Sequence, residues 1–242
     1  MMTNIELDLI LPCYNPTNDH WHTDLIQNYR RFEAALGNGN RVFLVLVNDG
    51  STTGIALNQI DVLRNQIIDF QYITYKKNKG KGFAVRAGIE ASKHSFQVYT
   101  DVDFPFELQD MVNLVHQLRL TADLVLGKRL PVYEKQLPQK RKILSLGSHF
   151  FNRYLLNLPF TDTQGGLKGF NAKGKTVFLE TQINRFLFDT EFILRATKAP
   201  NLKIVEIPIS ARSGIVLSEM GFKVIKNELL NLFILLKIRF FG

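Results

Sequence analysis

The sequence predicts an α/β fold in which helices flank a mainly parallel sheet. Short apolar segments typical of strands alternate with helix-like segments through the first half of the chain, which is the order found in βαβ units. The length of 242 residues suits one domain, and a hydrophobic content of 45% supplies a sizeable core. Because the sequence has no internal repeat and no linker-like tract, we predict a single domain over residues 1–212 and a C-terminal tail over 213–242.

The elements of the first half follow from apolar runs and the turn residues that end them. The predicted strands are LDLILPCY (7–14), RVFLVLVNDGS with its turn (41–51), DFQYITY, FQVYTDVD (96–103) and ADLVLGKR (122–129). The predicted helices between them, the first closed by Gly37 and Gly39, cover 20–36, 55–66, 79–92 and the segment ELQDMVNLVHQLRL. This order is typical of a Rossmann-like, nucleotide-binding sheet, whose loops gather at the carboxyl ends of the strands.

The second half of the chain is less regular. A basic stretch that contains Lys135, Lys140, Arg141 and Lys142 leads into a predicted helix over about 143–156. The turn TDTQGGLKGF then precedes a short helix, the segment FLFDTEFILRA and the strand KIVEIPIS. We expect these segments to complete the same domain.

Charge and cysteine content narrow the class of protein. A formal charge of +8 favours anionic partners, which include nucleic acid, an acidic membrane surface and phosphorylated small molecules. The single cysteine, Cys13, allows no internal disulfide and favours a reducing, cytosolic setting, with a buried thiol expected. The N-terminus does not resemble a signal peptide, and no segment offers about 20 uninterrupted apolar residues. We therefore expect a cytoplasmic protein, with peripheral attachment to the cytoplasmic face of a membrane left open.

Two acids follow the strand before residue 101, in the segment YTDVDF. If the strand continues through them, Asp101 and Asp103 point to the same side, because side chains alternate along a strand. Two neighbouring carboxylates repel each other unless a cation lies between them. Mg²⁺ typically binds one or two carboxylates together with phosphate oxygens, so a divalent-metal site is one interpretation of this segment. A solvated acidic turn is the alternative, since the pattern is short.

Two further segments accompany these acids. In VNDGST, Asp49 ends a buried strand, where its carboxylate can accept a hydrogen bond from a nucleotide base. In NKGKGFAVRAG, the glycines allow a close backbone approach, and Lys79, Lys81 and Arg86 supply positive charge. Neither segment matches GxGxxG or GxxxxGK[ST], which argues against a dinucleotide fold and a phosphate loop of those types. Each segment alone is more often an ordinary turn between a strand and a helix.

Seven segments in register resemble one known family. LPCYNP, VNDGST, NKGKGFAVRAG, TDVDF, LVLGKR, DTQGGLKGF and FDTEFILRA, in that order, look like the family 2 glycosyltransferases of the GT-A fold. The resemblance covers roughly residues 5–212 and is strongest to the branch that transfers glucose or mannose to dolichyl or polyprenyl phosphate. It implies a single GT-A domain, a nucleotide-diphosphate sugar donor, and Mg²⁺ or Mn²⁺ as cofactor.

The resemblance implies roles for the donor side of the site. Residues expected beside the nucleotide base are Pro12, Tyr14, Asn15 and, as a hydrogen-bond acceptor, Asp49. Residues expected by the ribose and the phosphates are Lys79 and Gly82. Asp101 and Asp103 match the DxD metal motif of the family, and Asp103 is expected to be the more direct ligand and to be catalytic. The basic residues expected to contact the diphosphate or an acceptor phosphate are Arg129 and Arg141.

The acceptor side is implied in the same way. The loop expected to face the acceptor contains Asp162, Gln164 and Lys168, and the acids expected to complete the wall of the site are Asp189 and Glu191. Enzymes of this kind invert the anomeric carbon in a single displacement. A hydroxyl acceptor needs a base, for which Asp162 and Asp189 are the candidates, whereas a phosphate acceptor is already ionised near neutral pH.

Three positions depart from the family pattern. Pro16 follows Asn15 where an acid is usual, and Asn48 replaces the first acid of VDDGS. Both differences touch base recognition, so the nucleotide is left unnamed. Gly165 replaces a usual cysteine, which we expect to matter little for the chemistry.

The C-terminal segment FKVIKNELLNLFILLKIRFFG combines Leu, Ile and Phe with interspersed Lys and Arg. Its charges argue against a full membrane span and allow an amphipathic helix that lies in the headgroup region. A terminal helix packed on the domain or on a partner chain is the alternative.

The predicted activity is hexose transfer from a nucleotide-diphosphate sugar to a polyprenyl phosphate, without a nucleic-acid partner. Three rival functions stay open: transfer to a glycan acceptor in polysaccharide biosynthesis, nucleotidyl transfer, and a basic nucleic-acid-binding module. The glycine-rich signature of nucleotidyltransferases is missing near the first strand, where LPCYNP stands. The Lys and Arg residues do not form an aromatic and basic strand platform. The sugar and the oligomeric state are not fixed by the sequence.

Overall fold

The computed structural model describes residues 4–130, 139–160, 162–212 and 222–241, and within two helices it describes only the backbone of residues 139–144, 222–227 and 229. The predicted boundary at residue 212 falls just before a stretch outside these ranges and stays a prediction.

A seven-stranded sheet forms the centre of the described chain, in the order β3-β2-β1-β4-β6-β5-β7. The strands are β1 (Glu6–Cys13), β2 (Arg41–Asn48), β3 (Phe70–Thr74), β4 (Phe96–Tyr99), β5 (Leu124–Arg129), β6 (Lys168–Asn171) and β7 (Ile204–Ile209). All neighbouring pairs are parallel except those of β6, which runs antiparallel to both β4 and β5. The predicted mainly parallel α/β fold is confirmed.

Helices cover both faces of this sheet. They are α1 (Trp21–Leu36), α2 (Leu57–Gln66), α3 (Lys81–Ala91), α4 (Leu108–Leu120), α5 (Gln139–Phe150), α6 (Ala172–Leu179), α7 (Phe188–Lys198) and α8 (Phe222–Phe241). A π-helical turn, Phe151–Leu155, extends α5. The helix predicted over about 143–156 therefore begins earlier than expected.

Alternation along the central strands builds two apolar layers. Leu9 and Leu11 of β1 pack with residues of α1, α2 and α4, whereas Ile10 packs with residues of α3, α6 and α7. This is the period of two that a strand imposes, with both faces buried as in sheets covered by helices. The layers leave the carboxyl ends of β1, β2 and β4 open for the loops that carry the polar motifs.

Strand β6 is the element that the sequence pattern missed. Its four residues KGFN contain a lysine, a glycine and an asparagine, so they carry no strand-like apolar run. The tertiary position overrides this weak propensity, because β6 pairs on both sides and its residues Lys168, Gly169 and Phe170 are buried. Its insertion between β4 and β5 brings the segment before it, residues 162–167, to the loop after β4.

The C-terminal helix α8 packs on the domain. Leu235 is fully buried in the apolar layer that contains α7. Glu228 accepts hydrogen bonds from the backbone N–H groups of Phe186 and Leu187, each at 3.1 Å. At the other end, Nζ of Lys198 donates to the carbonyl oxygens of residues 238 and 239 at 2.6 and 3.1 Å. Among the helices that the structure describes, none has the length and apolar character needed to cross a bilayer.

Candidate active site

The two acids of the TDVDF segment lie in a turn just beyond β4. The backbone N–H of Phe104 donates to the carbonyl of Asp101 at 3.0 Å, so residues 101–104 are folded and not extended. Strand alternation therefore does not determine where the two acids point, and that part of the prediction is wrong. The side chain of Asp101 is 41% exposed and Asp103 is an exposed residue, so both carboxylates reach solvent. The turn partly desolvates the carboxylate of Asp103, and this and the nearby Asp101 charge raise its pKa, which identifies the two carboxylates as neighbours.

A lysine neutralises the first of these acids. Nζ of Lys81, the first residue of α3, lies 2.5 Å from Oδ1 of Asp101. Burial acts to lower the pKa of Lys81, but the charges of Asp101, Asp189 and Asp103 outweigh it, and the pKa is raised. Lys81 is therefore a firmly protonated cation among three carboxylates. The sequence analysis noted its charge without selecting it as a site residue.

The donor set fits a divalent ion that binds together with phosphate oxygens. In the described residues, no group of three or more His, Cys, Asp and Glu side chains could hold a metal by itself. Asp101 and Asp103 offer two carboxylates at the surface, which is the number that Mg²⁺ typically takes from protein when substrate phosphates supply the rest. The buried thiol beside them is not a further ligand, since burial and the Asp103 charge raise the pKa of Cys13 to about 12.

Arg212 is a second cation at this turn, and no motif in the sequence pointed to it. One guanidinium nitrogen donates to the carbonyl oxygen of Asp103 at 3.0 Å, and the other donates to Asn28 at 2.9 Å. Its backbone N–H donates to Pro105. Arg212 follows β7, whereas residue 103 follows β4. The two residues are distant along the chain and meet because both strands belong to the same sheet. The residue fixes the shape of the acidic turn.

Asp49 orders the glycine-rich turn before α3. Its carboxylate accepts from the hydroxyl of Tyr75 at 2.7 Å, the amide of Asn78 at 2.7 Å, and the backbone N–H groups of Lys79 and Gly80 at 2.8 and 2.9 Å. Four donors occupy most acceptor positions of a carboxylate. The hydrogen bond to a nucleotide base stays a prediction, and in this structure Asp49 serves to position the turn.

The residues expected beside the base join the loops after β1 and β2. The side-chain oxygen of Asn15 accepts from the N–H of Thr52 at 2.9 Å, while its own N–H donates to Ser51 at 2.9 Å. Asn15 has a φ of 44°, a region that Asn tolerates better than most residues. Pro12 is buried within β1, whereas Tyr14 is 51% exposed. Tyr14 therefore has a free aromatic surface at this edge.

The expected phosphate-side residues differ in what they contact. Gly82 faces protein, because a Cβ on it would lie 2.6 Å from the Cβ of Phe188 and 2.7 Å from the carbonyl oxygen of Ile183. The need for glycine there comes from close packing against α7. Lys79 is exposed, with Nζ 4.1 Å from the ring centre of Phe83. Arg86 donates to the 181–184 segment and so belongs to the scaffold.

Asp162 is held in a bidentate ion pair. Its carboxylate accepts from Nε of Arg129 at 2.9 Å, from the second guanidinium nitrogen at 2.6 Å, and from the backbone N–H of the same arginine at 2.8 Å. Burial acts to raise the pKa of Asp162, but the Arg129 hydrogen bonds and charge outweigh it and lower the pKa. A carboxylate with a lowered pKa and occupied oxygens is a weak proton acceptor.

Asp189 is engaged in a second buried network. Its Oδ1 lies 2.7 Å from Nζ of Lys168 and accepts from the hydroxyl of Tyr99 at 2.5 Å. Lys168 is fully buried and also donates to the carbonyl of Gly165 at 2.6 Å. Burial lowers the pKa of Lys168, although the Asp189 charge opposes this. Because its ammonium has no exposed surface, Lys168 is placed to support the site and not to contact substrate directly.

The remaining predicted residues lie further back. Glu191 is fully buried and accepts from the backbone N–H groups of Gln182 and Ile183 and from Nε of Arg195, so it holds a loop. Gln164 is half-buried in the turn after Asp162. The side chain of Arg141 falls outside the described residues.

Two cavities lie away from the acidic turn. A cavity of about 550 Å³ is lined by residues of both α7 and α8, among them Arg195, Lys198 and Lys237. A second cavity of about 340 Å³ lies beside Lys79 and Leu230. Neither cavity is lined by Asp101 or Asp103, so neither of them is the site of the two acids.

Solved structures share this fold. Glucosyl-3-phosphoglycerate synthase from Mycobacterium tuberculosis, in complex with Mn²⁺, UDP and glucosyl-3-phosphoglycerate, aligns with a TM-score of 0.61 at 12% identity, over 97% of this chain and 80% of that chain. A mannosyltransferase from Pyrobaculum calidifontis, in complex with GDP-Man and Mn²⁺, aligns with a TM-score of 0.54 at 14% identity, over 86% of this chain and 56% of that chain. At these identities the likeness establishes the fold alone.

Curated relatives are more similar in sequence. The dolichyl-phosphate β-glucosyltransferase of Dictyostelium discoideum is 26% identical over 231 residues, which cover 86% of this chain and 66% of the relative. The corresponding enzyme of Saccharomyces cerevisiae is 27% identical over 228 residues, with 85% and 66% coverage. The chain thus spans slightly under two thirds of the length of these relatives. The model of glycosyl transferase family 2 matches residues 8–175, and this chain therefore belongs to glycosyltransferase family 2.

Proposed function

We propose that this chain transfers a hexose from a nucleotide-diphosphate sugar to a polyprenyl phosphate, with inversion at the anomeric carbon. The observation that carries the proposal is that both candidate bases are already held by cations. Arg129 occupies the carboxylate of Asp162, and Lys168 with Tyr99 occupies Oδ1 of Asp189. An acceptor that needs deprotonation would meet one fully engaged carboxylate, Asp162, and one buried carboxylate, Asp189, which is 4% exposed. A phosphate monoester is largely ionised near neutral pH, with a second pKa of about 6, and needs no base.

The donor end of the site has the charges that the departure of a nucleoside diphosphate requires. A divalent ion bound by Asp101 and Asp103 would neutralise negative charge on the leaving group. Lys81 holds the first of these carboxylates, and Arg212 fixes the backbone of the second. Burial and the Asp189 charge raise the pKa of Tyr99 well above its ordinary value, so its hydroxyl stays a donor to Asp189. These contacts hold the acids in place before the nucleotide-diphosphate sugar binds.

The names of the curated relatives support a lipid-phosphate acceptor, since they are dolichyl-phosphate β-glucosyltransferases. The nucleotide base stays unassigned. Asn48, which replaces the acid usual in the family, donates to the hydroxyl of Tyr72 at 2.9 Å and accepts from the N–H of Ser51 at 2.8 Å. These contacts stiffen the loop near the expected base position without favouring one base.

The outward face of α8 supports contact with an acidic membrane surface. Leu230, Phe233, Phe240 and Phe241 are between 65% and 87% exposed. The exposed Lys237 lies between the second and third of them, at helical spacing. Apolar side chains with an interspersed cation suit an interface that offers acyl chains and phosphate groups together. A position on the cytoplasmic face of a membrane fits the reducing setting that a lone cysteine favours.

Transfer assays with matched acceptors test the acceptor class. UDP-glucose and GDP-mannose are incubated with the full chain, Mn²⁺ and either a polyprenyl phosphate or the corresponding polyprenol, both in detergent. We expect a glycosyl phospholipid from the phosphate and no product from the alcohol. Product from the polyprenol or from a soluble glycan would instead identify a hydroxyl acceptor and overturn the proposal.

A vesicle assay tests the membrane contact separately. We expect the full chain to sediment with vesicles that contain phosphatidylglycerol and to bind neutral phosphatidylcholine vesicles more weakly. Phe233→Ser with Phe240→Ser should weaken sedimentation with both kinds of vesicle, whereas Leu57→Ser, which removes an 82% exposed leucine on α2, should not. A rise in melting temperature on addition of UDP or GDP with Mn²⁺ would exclude a nucleic-acid-binding module, because such a module should not respond to that pair.

A further inference from the structure

The ion pair between Lys81 and Asp101 engages one of the two carboxylates that the proposed function assigns to the metal. The ammonium lies 2.5 Å from Oδ1 of Asp101, and the Lys81 side chain is only 19% exposed. Gly166 also lies close to the pair, since a Cβ built on it would be 3.1 Å from Oδ2 of Asp101 and 3.9 Å from the ammonium. Protein thus encloses the pair on the side of the 162–166 turn, and solvent reaches Asp101 from the remaining side.

The charges around Lys81 explain why it adopts this position. Besides Asp101, the carboxylates of Asp189 and Asp103 interact with the ammonium through their charge, so it lies among three negative charges. Two neighbouring carboxylates such as Asp101 and Asp103 repel each other unless a cation lies between them. Lys81 supplies the missing positive charge in the chain itself.

We propose that Lys81 is a built-in competitor for the divalent cation, holding Asp101 until a nucleoside diphosphate arrives. The proposal rests on the donor class of the proposed function and not on its acceptor. A metal bound to Asp101 meets like charge from the ammonium at the same oxygen. An arriving diphosphate offers negative charge both to the metal and to Lys81, whose flexible four-carbon stem allows its ammonium to move.

This competition couples the binding of the metal to the binding of the nucleotide. The metal alone must displace Lys81 from a paired carboxylate, whereas the metal with a diphosphate leaves the ammonium with a new anionic partner. Coupling of this kind is reciprocal, so the metal strengthens nucleotide binding by the same factor. The site would bind a free divalent ion weakly and the metal–nucleotide pair more tightly.

Manganese titration without nucleotide tests the proposal directly. Binding of Mn²⁺ to the full chain is followed by the loss of the free-ion electron paramagnetic resonance signal. We expect Lys81→Gln to bind Mn²⁺ at least about tenfold more tightly than the wild type, within the range typical of coupled sites. Added UDP or GDP should increase Mn²⁺ affinity by a larger factor in the wild type than in the variant.

Two controls separate competition from general effects of charge. Lys81→Arg keeps the positive charge and should retain the weak Mn²⁺ binding of the wild type. Lys76→Gln removes a cation from an exposed residue of the preceding turn and should leave Mn²⁺ affinity unchanged. Circular dichroism and the melting temperature confirm that each variant is folded.

The outcomes distinguish this proposal from the proposed function. If Lys81→Gln binds Mn²⁺ with wild-type or weaker affinity, or not at all, Lys81 is not a competitor, even when transfer to a polyprenyl phosphate is observed. If the variant binds Mn²⁺ more tightly while no lipid product forms, the competition stands and the acceptor assignment fails.

Discussion

Nζ of Lys168 lies 2.7 Å from Oδ1 of Asp189, and the same ammonium donates to the carbonyl of Gly165. One fully buried lysine therefore joins β6, the first turn of α7 and the turn that follows Asp162. The pair ties Asp189 to the loop that lies against Asp101. Its removal should disturb several parts of the site at once.

Lys168→Met should therefore destabilise the protein. Removing one partner of a buried ion pair costs roughly 3–5 kcal/mol, because the other charge is left unpaired. Urea unfolding measures the loss. Lys173→Met is the control, since that lysine is 67% exposed and lies 3.4 Å from Asp123, and exposed pairs contribute at most about 1 kcal/mol. The double variant Lys168→Met with Asp189→Asn should lose less than the two single losses combined, and strict additivity would contradict the pairing.

Asp103→Asn should abolish turnover while the fold survives. Loss of a metal-binding carboxylate removes stabilisation of several kcal/mol from the transition state, or at least about a hundredfold in rate. Steady-state transfer with saturating Mn²⁺ measures this, with circular dichroism as the check on folding. Asp61→Asn is the matched control, because Asp61 is a 64% exposed acid on α2. Wild-type turnover of Asp103→Asn, or full wild-type activity in chelator, would refute the metal assignment.

Arg129→Gln should destabilise the protein in a pH-dependent manner. The arginine lowers the pKa of Asp162 in the folded state, whereas an unfolded Asp has a pKa of about 3.9. The ion pair thus contributes stability above that value and loses it as the pH falls through the lowered folded pKa. The difference in unfolding free energy between wild type and variant should be large at pH 7 and smaller at about pH 3. A pH-independent difference would show that the arginine acts through packing alone.

Gly165→Ala should be destabilising, although the position lies in a turn. A Cβ at residue 165 would collide with the carbonyl oxygen of Gly127 on β5. Because the obstacle is backbone, we expect a cost of about 1–3 kcal/mol or more, with melting temperature as the measure. Gly147→Ala is the control, since a Cβ there meets nothing within 4 Å and Ala favours a helix by about 0.5–1 kcal/mol over Gly. Equal melting temperatures for both variants would contradict this account.

The sequence predicted the parallel core well because its signals are local. Strands such as β2 are continuous apolar runs, and Asn and Gly residues mark their ends. Strand β6 escaped because its pairing, and not its composition, makes KGFN a strand. For the same reason the sequence does not show that Gly165 packs against Gly127, which is 38 positions away along the chain.

The site was predicted in its residue types but not in their pairings. The motifs located Asp101, Asp162 and Asp189, yet a motif does not show that a cation holds each carboxylate. The partners Lys81, Arg129 and Lys168 lie 20 to 33 residues away in sequence and meet these acids only through the sheet order. Arg212 is further still, 109 residues from the carbonyl it contacts. Such contacts require the tertiary structure.

The attachment of α8 has a consequence for how this region can diverge among related chains. Glu228 and Lys198 contact backbone N–H and carbonyl groups at residues 186, 187, 238 and 239. Those contacts do not depend on which side chains stand at the four positions. Two polar residues can therefore keep the helix docked while its outer face is replaced, so that one catalytic domain can be adapted to different surroundings with few substitutions.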